Sequence, residues 1–240
     1  MHAKLALRHL LRGAGYDVVR YSATAGRRRW TMMRCRGIDL VLDVGANTGQ
    51  YARSLRRDGY RGRIVSFEPL PDAFSRLATA AGRDQAWDCH QVALGPADSR
   101  AVLNVAGNSV SSSLLPMLHR HLQAAPSSRY RGSVEVEVRA LDSLAERLRL
   151  RSHRTHLKLD VQGYESSVLE GARRALELVE LLELELSVVP LYEGQALFRE
   201  MIDLLEERGF RLASLEPGFT DPRTGHLLQF DGVFEKVADA

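Results

Sequence analysis

The segment Asp39-Leu-Val-Leu-Asp43-Val-Gly45-Ala-Asn47-Thr-Gly49 constrains the fold of this chain more than any other. Its apolar run has the length of a strand buried on both faces, and such strands belong to parallel sheets covered by helices. The run stops at an acid and a glycine, and helical spacing begins at Gly49 and continues to about Arg57. A strand that turns straight into a helix opens a doubly wound α/β sheet. In such sheets ligands sit at the carboxyl ends of the strands, near the point where strand order reverses.

The alternation persists along the chain. GRIVSFEP reads as a second strand stopped by Pro69, PDAFSRLATAAG as a helix and DCHQVALG as a third strand. AVLNVAG and VEVEVRALD read as strands around an irregular stretch. THLKLDV, the helix SSVLEGARRALE, LLELELS and the helix ALFREMIDLLEER follow, with Gly209 at the helix end. FRLASLE and FDGVFEKV close the chain as a strand pair without an intervening helix, which implies an antiparallel edge. Strand and helix in turn, joined by right-handed crossovers, predict a seven-stranded Rossmann-like α/β sheet in the order 3-2-1-4-5-7-6, the layout of methyltransferases. This domain is expected over residues 37–240. Before it, Leu7, Leu10, Leu11 and Ala14 fall at helical spacing and predict an amphipathic helix over 3–14, within an N-terminal helical extension over 1–36.

The turn after the first strand chooses between ligands. A nicotinamide dinucleotide fingerprint, G-x-G-x-x-G, needs glycine at 45, 47 and 50, but Asn47 and Gln50 stand at two of these positions. Asp43 repels a pyrophosphate and attracts the ammonium and sulfonium of S-adenosylmethionine. Glu68, in SFEP, is placed to accept hydrogen bonds from both ribose hydroxyls. The candidate cofactor site is therefore Asp43, Gly45, Asn47, Gly49, Glu68 and Pro69, with Ala93 beside the adenine.

Three acids mark the reacting end. Asp160 closes the strand THLKLDV, Glu185 lies near the end of LLELELS, and Asp231 opens the last strand, which runs antiparallel to its neighbour. The predicted order brings all three to one rim. Such a cluster repels itself unless it is protonated or holds a cation, so Asp160, Glu185 and Asp231 are a candidate Mg²⁺ site. The competing reading is that each acid serves as a simple base or holds a loop. Positions 181, 183 and 185 share a face, so one of Glu183 and Glu185 is expected to partner an arginine. The stretch from Gly107 to Gly132, rich in serine, is expected to form a lid. Within it His119 is a candidate general base beside Asp160 and Glu185; His121, His153 and His156 are further candidates.

VLDVGANTGQYA, SFEP, the SSSLL stretch, LKLDVQGYE, LELSVVPLYEGQ and FDGVF together resemble the FkbM-type methyltransferases, over roughly residues 38 to 236. GYDVVRY is similar to the lead-in of actinobacterial members. The resemblance implies O-methylation of a hydroxyl on a saccharide, glycolipid or related natural product, with S-adenosylmethionine as donor. It also implies that Asp160, Glu165 and Glu185 lie near the catalytic edge, and that Gln162 stands where the family often has glutamate.

Composition agrees with that class. Only Lys4, Lys158 and Lys236 are lysines among 33 basic residues, a bias that points to a GC-rich coding sequence such as an actinobacterial one. A net charge of +3 without an aromatic-interleaved basic patch does not favour nucleic acid, so an RNA methyltransferase is an alternative, as is a cofactor-binding subunit without catalysis. No apolar run reaches bilayer length, and Arg8, His9 and Arg12 interrupt any signal-peptide core, so a cytoplasmic location is expected. Cys35 and Cys89, outside any CxxC pair, are expected to be reduced. A homodimer through the N-terminal helix is one open arrangement.

Overall fold

The computed structural model describes Leu11, Gly13 and residues 24–237. Apart from Leu11 and Gly13, the helix expected over 3–14 lies outside these residues, as does GYDVVRY. The first described helix, α1 (Ala25–Cys35), starts at Thr24, whose Oγ1 accepts from the Arg27 amide at 3.4 Å. It leads into β1 (Leu40–Val44), whose five residues are all buried.

From there the alternation is as the sequence predicts. Helix α2 (Gln50–Asp58), β2 (Arg63–Phe67), α3 (Pro71–Ala81) and β3 (Trp87–His90) form one wing of the sheet. Strand β7 (Thr155–Leu159), the short α6 (Glu165–Glu170), β8 (Val179–Ser187), α7 (Phe198–Glu207), β9 (Phe210–Pro217) and β10 (Gln229–Lys236) form the other. The seven strands lie in the order β3-β2-β1-β7-β8-β10-β9. Counted along this sheet alone, that is 3-2-1-4-5-7-6. The pairs from β3 to β8 are parallel, and β10 runs antiparallel to both β8 and β9.

Strict alternation on the central strands sorts their side chains between two cores. Leu40, Leu42, Val44, Leu157, Leu159, Leu182, Leu184 and Leu186 pack into the larger one. Val41, Ile64 and Leu181 point the other way, against Met33, Ala52, Leu55, Leu77 and Trp87. This second face carries every polar residue of the central strands discussed below.

Some boundaries differ from expectation. DCHQVALG is not one strand: β3 ends at His90, and Ala93–Leu94 form β4, which pairs with a different sheet. That second sheet has the order β4-β6-β5, built on the antiparallel pair β5 (Ser99–Ala106) and β6 (Tyr130–Arg139). A small helix α4 (His119–Ala124) lies in the link between them. Strand β6 stops three residues short of the expected end, and Leu141–Leu148 form helix α5, burying Leu141, Leu144 and Leu148. The helix expected over SSVLEGARRALE ends at Glu170. At Gly171 the chain presses on Gly95, and a Cβ there would lie 2.0 Å from the Gly95 carbonyl oxygen. Both cysteines are free. Among the described residues no helix is long and apolar enough to cross a membrane.

Gly171→Ala is expected to destabilise the fold by about 1–3 kcal/mol, the usual cost of forcing a methyl into packed surroundings. Urea unfolding checks it: the midpoint falls while the slope stays unchanged.

Candidate active site

A row of polar side chains crosses the middle of the sheet on its second face. In register, Ser66 of β2 lies beside Asp43 of β1, Asp43 beside Lys158 of β7, and Lys158 beside Glu183 of β8. Lys158 Nζ lies 3.5 Å from Asp43 Oδ1 and 3.2 Å from Asp160 Oδ2. Burial works against its charge, but Asp160 and Asp43 outweigh that and raise the ammonium pKa. Burial raises the Asp43 pKa, with Lys158 opposing.

Glu183 is the arginine partner that the strand alternation predicts. Its carboxylate pairs with Arg29 of α1, accepts from the Tyr51 hydroxyl at 2.7 Å, and lies 3.3 Å from His156 Nε2. Burial opposes the Glu183 charge, yet Arg29, His156 and Tyr51 together hold the pKa down at about 2. Tyr51 completes the network with a 2.7 Å contact to His156 Nε2.

Above this row, at the carboxyl ends of the strands, lies a cavity of about 420 Å³. On the β2 side it is walled by Glu68, Leu70, Ala93 and Leu103, and on the β7–β10 side by Arg29, Lys158, Asp160 and Asp231. Of the residues expected in the cofactor site, Gly45, Asn47, Glu68, Pro69 and Ala93 line this cavity. Asp43 and Gly49 do not. Asp43 is fully buried beneath the turn, held by Lys158 and by the Ser66 hydroxyl at 3.3 Å, so it supports the site from behind. Gly49 is a packing position, where a Cβ would come within 2.8 Å of the Trp87 ring. Gly45 is demanded twice over: its φ is +76°, and a Cβ would lie 1.9 Å from the Asp160 carbonyl oxygen. Glu68 accepts from the backbone amides of Asn47 and Leu70, each at 2.8 Å. Burial pushes its pKa up to about 6 against those two donors.

A second cavity, of about 340 Å³, shares Val110, Asp160 and Gln162 with the first. Its other walls include Asn108, Ser111, His121, Ser128, Glu185, Phe219 and Gln229, with no lysine or arginine. Within the serine-rich stretch from Gly107 to Gly132, Ser109, Val110, Ser112 and Leu114 line the larger cavity and Asn108, Val110 and Ser111 the smaller. Asn47 Nδ2 donates to Ser109 Oγ at 3.3 Å on one side, and Ser113 Oγ donates to the Gln162 carbonyl at 2.7 Å on the other.

The expected metal site is not what these acids build. Gln162 Nε2 donates to Asp160 Oδ1 at 2.8 Å and to Glu185 Oε2 at 3.2 Å, while Gln229 Nε2 donates to the same Glu185 oxygen at 2.6 Å. Asp231 lines only the larger cavity and Glu185 only the smaller. Among the described residues no group of three His, Cys, Asp or Glu is arranged to hold a metal ion. The amide of Gln162 does what a cation was expected to do, holding two acids together by donation. Burial, with Asp160 and Glu165 adding, raises the Glu185 pKa well above the usual carboxyl range.

His119 is also corrected. It is exposed and lines neither cavity, because one end of α4 faces outward there. His121, two residues on and across the helix, is buried in the second cavity, with Nε2 3.2 Å from Ser128 Oγ and Nδ1 lacking a partner. Burial lowers its pKa to about 4, so it is neutral near pH 7. His153 pairs with Asp39 at 3.3 Å, at the opposite ends of the strands.

Lys158, Arg29 and Tyr51 were not read as site residues from the sequence. Lys158 left one signal, a lysine inside an otherwise apolar strand. Arg29 left none, being one of three consecutive arginines.

The comparisons with known proteins accord with this geometry. The model of the FkbM methyltransferase domain matches residues 43–212. The chain belongs to the FkbM methyltransferase family. It is therefore an enzyme of methyl transfer. It is 30% identical to the 2-O-methyltransferase NoeI of Sinorhizobium fredii over 172 residues, 69% of this chain and 70% of that protein. It is 25% identical to Methyltransferase 1 of Beauveria bassiana over 198 residues, 76% of each. Among solved structures, WbdD in complex with the kinase inhibitor LY294002 superposes with a TM-score of 0.50 at 14% identity, covering 92% of this chain and 42% of that one. That likeness concerns the fold alone.

Glu165 gives this family member a measurable pH signature. Its Oε1 accepts from the Val161 amide at 3.0 Å and the Gly163 amide at 3.3 Å. Burial raises its pKa from 4.5 to about 7 despite those donors. A raised carboxyl pKa favours the folded state below about pH 4.5, and that contribution is lost as pH rises to about 7. Glu165→Gln keeps an acceptor oxygen and removes the ionisation. It is expected to flatten the stability–pH curve between those limits by up to about 3 kcal/mol, read from urea midpoints at pH 5 and 7.5.

Proposed function

We propose that the chain is an S-adenosylmethionine-dependent O-methyltransferase whose acceptor is a neutral, hydroxyl-rich molecule such as a saccharide or glycolipid headgroup. The observation that carries this reading is the pair of adjoining cavities that share Asp160 and Gln162. The larger one suits the donor. Its apolar wall of Leu70, Ala93 and Leu103 matches an adenine, Glu68 stands where a ribose needs an acceptor, and its far side is charged. Gly45 forms the tight turn at the cavity floor, where a side chain would strike the Asp160 backbone carbonyl.

The smaller cavity suits an acceptor that hydrogen-bonds without carrying negative charge. Serine hydroxyls, two glutamine amides, Asn108 and neutral His121 both donate and accept, and Phe219 offers an apolar wall. Asp160 repels a phosphate or carboxylate there and no lysine or arginine lines the cavity to offset it, which argues for a small neutral acceptor over RNA. The S. fredii relative is a 2-O-methyltransferase, which supports an oxygen acceptor.

S-adenosylmethionine supplies a methyl group on a positively charged sulfur. The chain's part is to align an acceptor oxygen with it and to remove a proton. Asp160 lies on the boundary between the cavities, its two oxygens fixed by Lys158 and Gln162. It takes the hydroxyl proton as the oxygen–methyl bond forms and the methyl–sulfur bond breaks. Glu185, held toward its neutral form, offers a hydrogen bond that orients the acceptor.

Asp160→Asn is expected to lower kcat by about 10²–10⁴-fold, the usual contribution of a general base, while S-adenosylhomocysteine binding stays intact. Transfer of labelled methyl to a panel of sugars, oligosaccharides and glycolipids is the test. Activity is expected to survive EDTA, because an amide rather than a cation links Asp160 and Glu185. Loss of transfer in EDTA overturns that arrangement, and full activity of Asp160→Asn removes Asp160 from catalysis.

A further inference from the structure

The charged side of the larger cavity holds two groups that the proposed chemistry does not use. Arg29 reaches it from α1 and Asp231 from the start of β10, both on the opposite side of β1 from Glu68. Arg29 engages Glu183 through Nη1, and its guanidinium carbon lies 4.8 Å from the centroid of the Tyr51 ring. Its Nε is shut away from solvent without a hydrogen-bond partner. A guanidinium has five donors in a planar fork, so one ion pair leaves it with capacity for a second carboxylate.

Asp231 has the complementary need. Among the described residues its carboxylate accepts no hydrogen bond and forms no ion pair within 4.0 Å, although its neighbours across the strands are Glu185 and Glu216. The residue is exposed at the cavity rim, and partial desolvation on its cavity side raises its pKa to about 6, with Glu183 and Asp160 adding and Lys158 and Arg29 opposing. Three carboxylates, Asp160, Glu183 and Asp231, thus line this side of the larger cavity with two cations, Arg29 and Lys158. An additional cation is electrostatically welcome there, and Asp231 is the carboxylate without a partner to receive it. Asp160 is already occupied by Lys158 and Gln162.

We infer that Arg29 and Asp231 clamp the amino-acid end of the methyl donor, Arg29 binding its carboxylate and Asp231 its ammonium group. This rests on the reading that S-adenosylmethionine fills the larger cavity. A zwitterion spanning the two residues meets each charge with its opposite, and the donor's sulfonium offsets part of the remaining negative charge. Helix α1 would then be part of the donor site, since it alone supplies a basic group that is not on the central strands.

The two ligands that test the clamp differ only at that end: S-adenosylhomocysteine carries the amino-acid group, and 5′-methylthioadenosine lacks it. Calorimetry on the whole chain is expected to show wild type binding S-adenosylhomocysteine about ten- to hundredfold more tightly, the value of charge-assisted hydrogen bonds to the missing group. In Arg29→Met and in Asp231→Asn that preference is expected to shrink at least about tenfold, with 5′-methylthioadenosine binding unchanged. Arg29→Lys, which keeps the charge but not the fork, is expected to fall between. Arg29→Met strips Glu183 of its counter-ion; if it does not fold, Asp231→Asn decides, because Asp231 has no partner to orphan. An undiminished preference in Asp231→Asn and Arg29→Lys overturns the clamp and leaves Arg29 as the counter-ion of Glu183. Failure of both ligands to bind wild type overturns the donor reading itself, and the clamp with it.

Discussion

The ammonium group of Lys158 is the interaction on which the rest of the site depends. It sits within the sheet beside Asp43 and reaches Asp160 beyond the strand end. Asp43 and Lys158 are both buried, and the two charges are tolerable there only together, while Asp160 is half-exposed at the strand end. Removing the lysine would leave uncompensated charge in the core, a change that typically costs about 3–5 kcal/mol. The same pairing fixes Asp160 at the boundary of the two cavities. One ion pair thus serves both the stability of the central strands and the placement of the candidate base.

Around that pivot the site divides its labour by type of interaction. Charge dominates in the larger cavity, which Lys158, Arg29, Glu183 and Asp231 line. Neutral donors and acceptors dominate on the other side. Gln162 belongs to both: its amide nitrogen bridges Asp160 and Glu185, and its amide oxygen lies 2.9 Å from the Tyr192 hydroxyl. That hydroxyl also meets the Ser111 carbonyl at 3.1 Å, which joins the serine-rich stretch to Gln162. A glutamate at position 162 would place a third acid there and could not donate to the other two. The glutamine makes the acids a hydrogen-bonded pair.

The parts that sequence missed share one property. His119 and His121 are equally plausible as letters, and only the facing of a short helix decides that one is exposed and the other lies in a cavity. Asp43 was correctly placed at the strand end, but its depth beneath the Gly45 turn depends on how closely β1 and β7 approach. Asp160, Glu185 and Asp231 do come to one rim, as strand order required. Whether they gather around a cation or pair off with amides depends on glutamines at 162 and 229, which come from separate elements.

What the sequence alone determined is the architecture: strand and helix order, the antiparallel closing pair, and the glycine turn at the sheet's switch point. These follow from local periodicity and from backbone rules that act over a few residues. Glu68, Pro69 and Gly45 reached the larger cavity for the same reason, since a position at a strand's carboxyl end is a local fact, whereas Ala93 reaches it from β4 of the second sheet. Only the tertiary structure decided that Arg29, 14 residues before Asp43, pairs with Glu183, and that Lys158 balances two acids. Electrostatic partners are chosen by distance in space, and a chain that folds back across seven strands brings together charges whose separation in sequence carries no record of it.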